Sequence, residues 1–207
     1  MEKVIIFDYD GVIVDSLDVY EKAVISAFQK NGYNQIDSRE SFLNLFDGNF
    51  FESVIKLGIP PEKMPAIMKE LEPNLQRLQN ELKLFDGMRD VLAELAKKYK
   101  IYIATSNLTE VVKAYLESQN ITAFEEIIGA DKETSKVKKI ECIKAKYPNH
   151  DIFYVGDTKG DMLEGKLAGV KTIAVAWGWH NVERLKEGEP DYIVEKPGDL
   201  LSTIENL

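Results

Sequence analysis

The sequence is poor in cysteine and has no long apolar run. Its single cysteine, Cys142, cannot form an internal disulfide, which is typical of proteins in a reducing compartment. No stretch approaches the ~20 consecutive apolar residues that a membrane-spanning helix needs. The chain begins MEKVIIFD, without a basic leader or a small-residue cleavage site, so we expect no secretory signal. These absences predict a cytoplasmic protein with no membrane partner.

The sequence also has fewer basic than acidic residues. Lys and Arg number 26 against 35 Asp and Glu, which leaves a formal net charge of -9. Binding to nucleic acid needs a basic face, so we expect no nucleic-acid partner. A small anionic ligand stays possible, because a metal ion or one lysine can reverse the local potential. The sequence does not indicate an oligomeric state.

Five apolar runs rich in β-branched residues stand out against this background. They lie at 4–7, 101–105, 126–130, 152–156 and 172–177, and YIV at 192–194 is a candidate edge strand. Such nearly continuous runs are typical of strands that are covered on both faces. Helical patterns such as GMRDVLAELAKKY separate the later runs. The alternation predicts a doubly wound parallel α/β sheet of Rossmann-like type.

The first two runs are exceptional, because about ninety residues separate them. A single crossover helix needs far fewer. The intervening residues are helical in pattern, with prolines as punctuation and no convincing strand. We therefore expect an α/β core formed by residues 1–16 and 81–207, with residues 17–80 as an inserted helical unit. The phenylalanines of this insertion recur at helical spacing, which predicts that they form its core (Phe42, Phe46, Phe50 and Phe51).

Polar residues follow the predicted strands at the points where the strands end. Ligands of open parallel sheets bind outside the carboxyl ends of the strands, so these side chains should converge at one edge. The set comprises Asp8 and Asp10 after the first strand, Thr105, Ser106 and Asn107 after the second, Lys136 after the third, and Asp157 and Asp161 after the fourth.

These residue types suit phosphoryl transfer. Clustered carboxylates stay ionised together only with a cation between them, and oxygen ligands suit Mg²⁺. One carboxylate can act as a nucleophile, and a second, two residues on, can protonate the leaving oxygen and then activate water. A hydroxyl, backbone amides and a lysine can hold the phosphoryl oxygens. Gly11 permits a tight backbone path beside the site.

Each motif alone has an ordinary structural explanation. Asp-x-Asp-Gly is a common turn, GDTKGD can be a loop that caps a helix, and Thr105-Ser106 can be a helix N-cap. Their order and their positions at successive strand ends favour a catalytic site.

With these motifs the chain resembles the haloacid dehalogenase superfamily of phosphohydrolases over essentially its whole length. The resemblance lies in DYDGV (8–12), TSN (105–107), Lys136 and GDTKGD (156–161). The helical insertion resembles the small cap of the phosphoglycolate phosphatase and β-phosphoglucomutase branch. This resemblance implies a magnesium-dependent phosphatase that hydrolyses a small phosphorylated metabolite, phosphoglycolate-like or sugar-phosphate-like, through an aspartyl-phosphate intermediate.

The resemblance also implies roles for individual residues. Asp8 would be the nucleophile and Asp10 the general acid and base. Mg²⁺ would be held by Asp8, the backbone carbonyl of Asp10 and Asp157. The phosphoryl group would be bound by Ser106, Asn107 and Lys136. Asp161, Thr105 and Gly11 would support these groups.

Some features depart from the family pattern and leave alternatives open. Val137 follows Lys136 where much of the family has proline, and Lys132, Lys138 and Lys139 also lie nearby. Ser135 is a natural N-cap, which favours Lys136. Tyr20 stands where the mutases carry histidine, which favours a phosphatase. A phosphosugar mutase and a non-enzymatic, receiver-like phosphorylated regulator remain alternatives.

Four further expectations concern residues around the site. We expect Asp15 to cap or hinge the entry to the insertion, and His180 to be a surface or loop histidine. Trp177 and Trp179 are expected to pack at a strand end. The turn at 47–49 is a candidate for substrate contact.

Overall fold

The computed structural model describes residues 2–78 and 81–207. Residues 1, 79 and 80, which the predicted domain limits include, lie outside the described residues. Eight strands are present in this part of the chain. They are β1 (Lys3–Phe7), β2 (Val14–Asp15), β3 (Lys83–Leu84), β4 (Lys100–Ala104), β5 (Glu126–Ile128), β6 (Asp151–Gly156), β7 (Lys171–Val175) and β8 (Tyr192–Val194).

The described residues also form ten α-helices, and short 3₁₀ turns lie at Asn44–Phe46 and Pro61–Lys63. In the part of the chain described, no helix combines the length and apolarity that crossing a membrane requires. The helices are α1 (Leu17–Lys30), α2 (Arg39–Leu43), α3 (Phe50–Lys56), α4 (Met64–Leu78), α5 (Met88–Ala96), α6 (Thr109–Ser118), α7 (Lys136–Lys146), α8 (Lys159–Leu167), α9 (Val182–Glu187) and α10 (Pro197–Asn206).

Six strands form one parallel sheet in the order β5-β4-β1-β6-β7-β8. Successive residues of the central strand β1 face opposite sides, as the period of two requires. Ile5 and Phe7 pack with α5, α6 and α10 on one face, and Val4 and Ile6 pack with Ile140 of α7 on the other. The predicted doubly wound α/β fold is therefore confirmed, including the edge strand at 192–194.

The segment 17–78, called the helical segment below, has a separate apolar core formed by α1 to α4. Val24, Phe28 and Ile67 are fully buried there. Of the predicted core phenylalanines, Phe42, Phe46 and Phe50 are buried and Phe51 is partly buried.

A two-stranded antiparallel ribbon, β2 with β3, joins the two chain connections between the sheet and the helical segment. It pairs Val14 with Leu84 and Asp15 with Lys83. Two-residue strands carry no periodic signal, so sequence patterns did not predict them. Asp15 was predicted to cap or hinge the entry to the insertion. Ser16 is the N-cap residue of α1, so the capping alternative is wrong, whereas the hinge alternative stays a prediction. Asp15 is exposed in the ribbon, at the connection itself.

Candidate active site

The carboxyl ends of β1, β4 and β6 bring the predicted polar residues to one edge of the sheet. A cavity there is lined by Asp8, Asp10, Thr105, Ser106, Lys136, Asp157 and Thr158 on the sheet side. Asp8, Asp10, Asn107, Lys136, Asp157 and Asp161 are buried, and Ser106 is half-buried. Charged groups that are buried together need partners or an ion.

Lys136 contacts two of these buried carboxylates. Its Nζ atom lies 2.5 Å from Oδ2 of Asp8 and 2.5 Å from Oδ1 of Asp161. Burial alone would lower the pKa of Lys136, but the negative charges of Asp161 and Asp8 outweigh it and raise the pKa well above its usual value. Lys136 is therefore a permanent cation between two carboxylates.

The helix start explains why this lysine reaches the site. The side chain of Ser135 caps α7 by accepting a hydrogen bond from the Lys138 backbone N–H, as the sequence predicts. The neighbouring lysines are engaged elsewhere. Lys132 donates to the Ile127 carbonyl, Lys138 lies 3.9 Å from Glu133 at the surface, and Lys139 donates to the Thr105 carbonyl.

Asp10 lies in a setting that favours its protonated form. Burial and the negative charge of Asp8 raise the pKa of Asp10 to about 7. The Nδ2 atom of Asn107 donates to Oδ2 of Asp10 at 3.0 Å, and Oδ1 has no hydrogen-bond partner among the described residues. A carboxyl group with such a pKa can both release and accept a proton near neutral pH.

Asp8, Asp157 and Asp161 form an acidic cluster in which each residue offers one oxygen within 4.8 Å of the others. Asp157 accepts the Trp179 backbone N–H at 2.7 Å through Oδ2, while its buried Oδ1 has no partner in the described structure. Burial and the nearby carboxylates of Asp161 and Asp8 raise the pKa of Asp157 well above its usual value. Both oxygens of Asp161, by contrast, are hydrogen-bonded, to Lys136 and Tyr154 and to Thr158.

Two glycines allow Asp157 to come this close. Gly11 has a φ of +75°, and a Cβ atom on it would lie 1.9 Å from Oδ2 of Asp157. A Cβ atom on Gly178 would lie 2.2 Å from the Asp157 Cβ atom. Any side chain at either position would displace this carboxylate.

Three aromatic residues complete the lining of the cavity and are called the aromatic wall below. Tyr20 and Phe46 of the helical segment form it together with Trp179 from the loop after β7. The Trp179 ring lies 4.8 Å from the Phe46 ring and 5.5 Å from the Tyr20 ring, measured between centroids. Sequence patterns did not identify this wall, because buried aromatic residues at helical spacing look alike whether they face a core or a cavity.

Two neighbouring features make contacts that the sequence did not predict. His180 lies in a loop, as predicted, but it is buried there: its Nδ1 atom accepts the Lys159 backbone N–H, and its Nε2 atom lies 3.1 Å from the Leu43 carbonyl of the helical segment. The turn at 47–49 contacts α8 and α9 rather than the cavity. Arg184 donates to Asp47 and Asn49 donates to Glu164.

Comparison with known proteins identifies related sequences of nearly equal length. The profile of a family described as haloacid dehalogenase-like hydrolase matches residues 5–175. A phosphoglycolate phosphatase of Synechococcus elongatus is 28% identical over 207 residues, covering 98% of this chain and 97% of the relative. The pyrophosphatase PpaX of Anoxybacillus flavithermus is 27% identical, covering 97% of this chain and 95% of the relative.

Solved structures show the same fold. A haloacid dehalogenase-like hydrolase from Streptococcus pneumoniae superposes with a TM-score of 0.79 at 25% identity, over 98% of each chain. A protein from Clostridium acetobutylicum, described as a predicted phosphatase, superposes with a TM-score of 0.86 at 22% identity over 100% of both chains.

Proposed function

Because this chain belongs to the haloacid dehalogenase-like hydrolases, we propose that it is a metal-dependent phosphatase that acts on a small phosphomonoester through an aspartyl-phosphate on Asp8. The observation that carries the proposal is the pairing of two carboxyl groups with unlike partners. Burial raises the pKa of both, of Asp8 to about 6 and of Asp10 to about 7. Asp8 accepts a hydrogen bond from the cation of Lys136, whereas Asp10 accepts one from the neutral amide of Asn107. One group suits a nucleophile and the other a proton carrier.

The residues present fit a divalent metal ion. The cluster of Asp8, Asp157 and Asp161 holds three buried carboxyl groups against the single cation of Lys136, and Oδ1 of Asp157 lacks any partner among the described residues. Oxygen ligands of this kind suit Mg²⁺. Asp8, Asp157 and the backbone carbonyl of Asp10 would hold the ion, while Asp161, already saturated by hydrogen bonds, orients Lys136 and the loop at 157–158. When bound, the ion supplies positive charge that offsets the phosphoryl oxygens.

In the proposed first step, a carboxylate oxygen of Asp8 attacks phosphorus and the bond to the ester oxygen breaks. Asp10 transfers its proton to that leaving oxygen, and the alcohol departs. In the second step, Asp10 accepts a proton from water as the water attacks phosphorus. The bond to Asp8 breaks, which releases phosphate and restores both side chains.

Other residues bind and orient the phosphoryl group in this scheme. Lys136 and the hydroxyl of Ser106 would contact its oxygens, and Asn107 holds Asp10 in place through Nδ2. The Thr105 hydroxyl accepts the Asn107 backbone N–H at 3.0 Å, and the Lys139 ammonium donates to the Thr105 carbonyl. This turn is therefore held from both sides before any substrate binds.

We assign residues 17–80, which contain the helical segment, the role of a cap over a core of residues 1–16 and 81–207. Its contacts with the core through Leu43, Asp47 and Asn49 support a closed arrangement in which bulk water is kept from the site. The ribbon of β2 and β3 lies at the connection and is the natural place for a hinge.

The proposal is tested by measuring phosphate release from a panel of small phosphomonoesters, with and without Mg²⁺. Wild type is compared with Asp8→Asn, and Asp15→Asn serves as a control because Asp15 is exposed nearby. We expect release that requires both Mg²⁺ and Asp8 and that is unchanged in the control. Turnover near the wild-type rate in Asp8→Asn would rule out the aspartyl-phosphate route.

A further inference from the structure

The aromatic wall of the cavity offers no positive charge to a substrate. Among the residues that the structure describes, Lys136 is the one cation that lines the cavity, and both Asp8 and Asp161 already bind it. Tyr20 and Phe46 of the helical segment contribute aromatic rings to the lining. A second anionic group on the substrate would therefore meet no counter-charge there.

Two cationic side chains outside the cavity lining are committed to other partners. Arg184 is ion-paired with Asp47, and Lys139 donates to the Thr105 carbonyl. Burying a carboxylate or a second phosphate without a partner is costly, so the surroundings disfavour a charged leaving group.

Trp179 gives the wall one unused hydrogen-bond donor. Its side chain is buried, and its Nε1 atom has no acceptor in the described structure. A Cβ atom on Gly11 would lie 2.8 Å from Cδ1 of Trp179, so the polar edge of the indole faces the turn at Asp10 and Gly11. Buried donors are normally satisfied, and indole can only donate. The nearby Trp177 shows the usual situation, because its Nε1 atom donates to the Val12 carbonyl at 3.1 Å.

The hydroxyl group of Tyr20 adds a second polar atom to the same wall. A phenol is protonated near neutral pH and can donate or accept a hydrogen bond. Two neutral polar groups on an aromatic surface suit a hydroxylated, uncharged ligand.

We propose, on the basis of the phosphatase function above, that the substrate is the monophosphate of a small uncharged alcohol that carries a further hydroxyl group. The indole N–H of Trp179 donates to the oxygen of that hydroxyl.

The first test ranks four probes with the wild-type enzyme and Mg²⁺: glycerol phosphate, ethyl phosphate, phosphoglycolate and pyrophosphate. We expect glycerol phosphate to have the highest kcat/KM, about tenfold or more above the two probes with a charged leaving group. If phosphoglycolate or pyrophosphate equals it, the substrate class is wrong while the phosphatase function stands. If none of the four releases phosphate, the phosphatase function itself fails, and the substrate class with it.

The second test isolates the indole donor. Trp179→Phe keeps a ring against Tyr20 and Phe46 and removes the N–H, so KM for glycerol phosphate should rise about fivefold with little change in kcat. Ethyl phosphate lacks the second hydroxyl, so the ratio of kcat/KM for glycerol phosphate to that for ethyl phosphate should fall about fivefold in Trp179→Phe. Trp177→Phe is the matched control and should affect both esters alike. Equal losses on both esters in Trp179→Phe would overturn the role of Trp179.

Discussion

The Nζ atom of Lys136 lies 2.5 Å from Oδ2 of Asp8, although 128 residues separate the two in the chain. Both side chains are buried, and the first turn of α7 meets the end of β1 only because the sheet places them at the same edge. This contact links the proposed nucleophile to a fixed positive charge. Because the ion pair is buried, it also contributes to the stability of the fold.

Replacement of Lys136 should therefore affect both activity and stability. Lys136→Met leaves Asp8 and Asp161 buried without their cation, and we expect kcat/KM to fall at least a hundredfold and unfolding free energy to fall by about 3 kcal/mol. Phosphate release and urea unfolding measure the two effects. Lys138→Met is the matched control, because Lys138 is exposed in the same helical turn. A Lys136→Met enzyme with wild-type kinetics would show that another lysine binds the phosphoryl group.

Replacement of Asp10 should depend on the leaving group. Asp10→Asn cannot protonate the departing oxygen, so the release of an alkyl alcohol should slow by about 10²- to 10⁴-fold. The first-turnover burst of nitrophenolate from p-nitrophenyl phosphate should change much less, because that leaving group needs no proton. Rapid-quench measurements of both esters make the comparison. Equal slowing of the two bursts would contradict an acid role for Asp10.

The pH dependence of kcat/KM offers an independent test of the same residue. With a pKa of about 7, Asp10 carries its proton below neutral pH and loses it above. The wild-type kcat/KM for an alkyl phosphate should therefore fall as the pH rises beyond about 7. Asp10→Asn has no such proton to lose, so its residual activity should lack this decline. A decline that persists unchanged in the variant would assign it to another group.

Metal binding should be visible without any turnover. Mg²⁺ at about 100 times its dissociation constant should stabilise the wild-type fold by about 3 kcal/mol, which thermal unfolding detects as a higher Tm. Asp157→Asn removes the carboxylate with the unpartnered oxygen and should abolish this shift, whereas the exposed Asp15→Asn should retain it. EDTA should abolish activity reversibly. A full Mg²⁺ shift in Asp157→Asn would show that the ion binds elsewhere.

His180 should make the stability depend on pH. Burial and the positive charge of Arg184 lower the pKa of His180, so the folded state binds fewer protons than the unfolded state. The contribution of neutral His180 to the free energy of unfolding is fully present at pH values above the pKa of histidine in the unfolded state, near 6.5. It is lost as the pH falls through the lower pKa of the folded state. His180→Gln should cost about 1 kcal/mol at pH 7.5, because glutamine has no acceptor at the position of Nδ1, which binds the Lys159 N–H. The difference from wild type should shrink at pH 5.5 in urea unfolding. A constant difference would contradict a buried neutral histidine.

The sheet could be predicted from the sequence because its strands are covered on both faces. Runs such as VIIF and IFYVG are apolar on every residue, and each of the six predicted strands is present within a residue or two. The ribbon of β2 and β3 was not predicted, since two-residue strands are defined by their partner and not by their own composition.

The polar residues at the strand ends could be predicted for a related reason. Asp8, Ser106 and Asp157 follow strands directly, and a parallel sheet brings its carboxyl ends together whatever the loops do. Even the choice of Lys136 had a local signal, because Ser135 caps the helix that begins with it.

Short stretches of the chain specify the parallel sheet, the helical insertion and the edge at which the carboxylates meet, because strand burial and helix capping are local properties. The packing of the folded chain specifies which groups lie against those carboxylates. Trp179 and His180 lie in a loop whose sequence pattern is typical of any strand end. The sequence of the turn at 47–49 is likewise typical of any surface turn. Whether each faces the cavity, the cap or the core depends on contacts between residues that are more than a hundred positions apart.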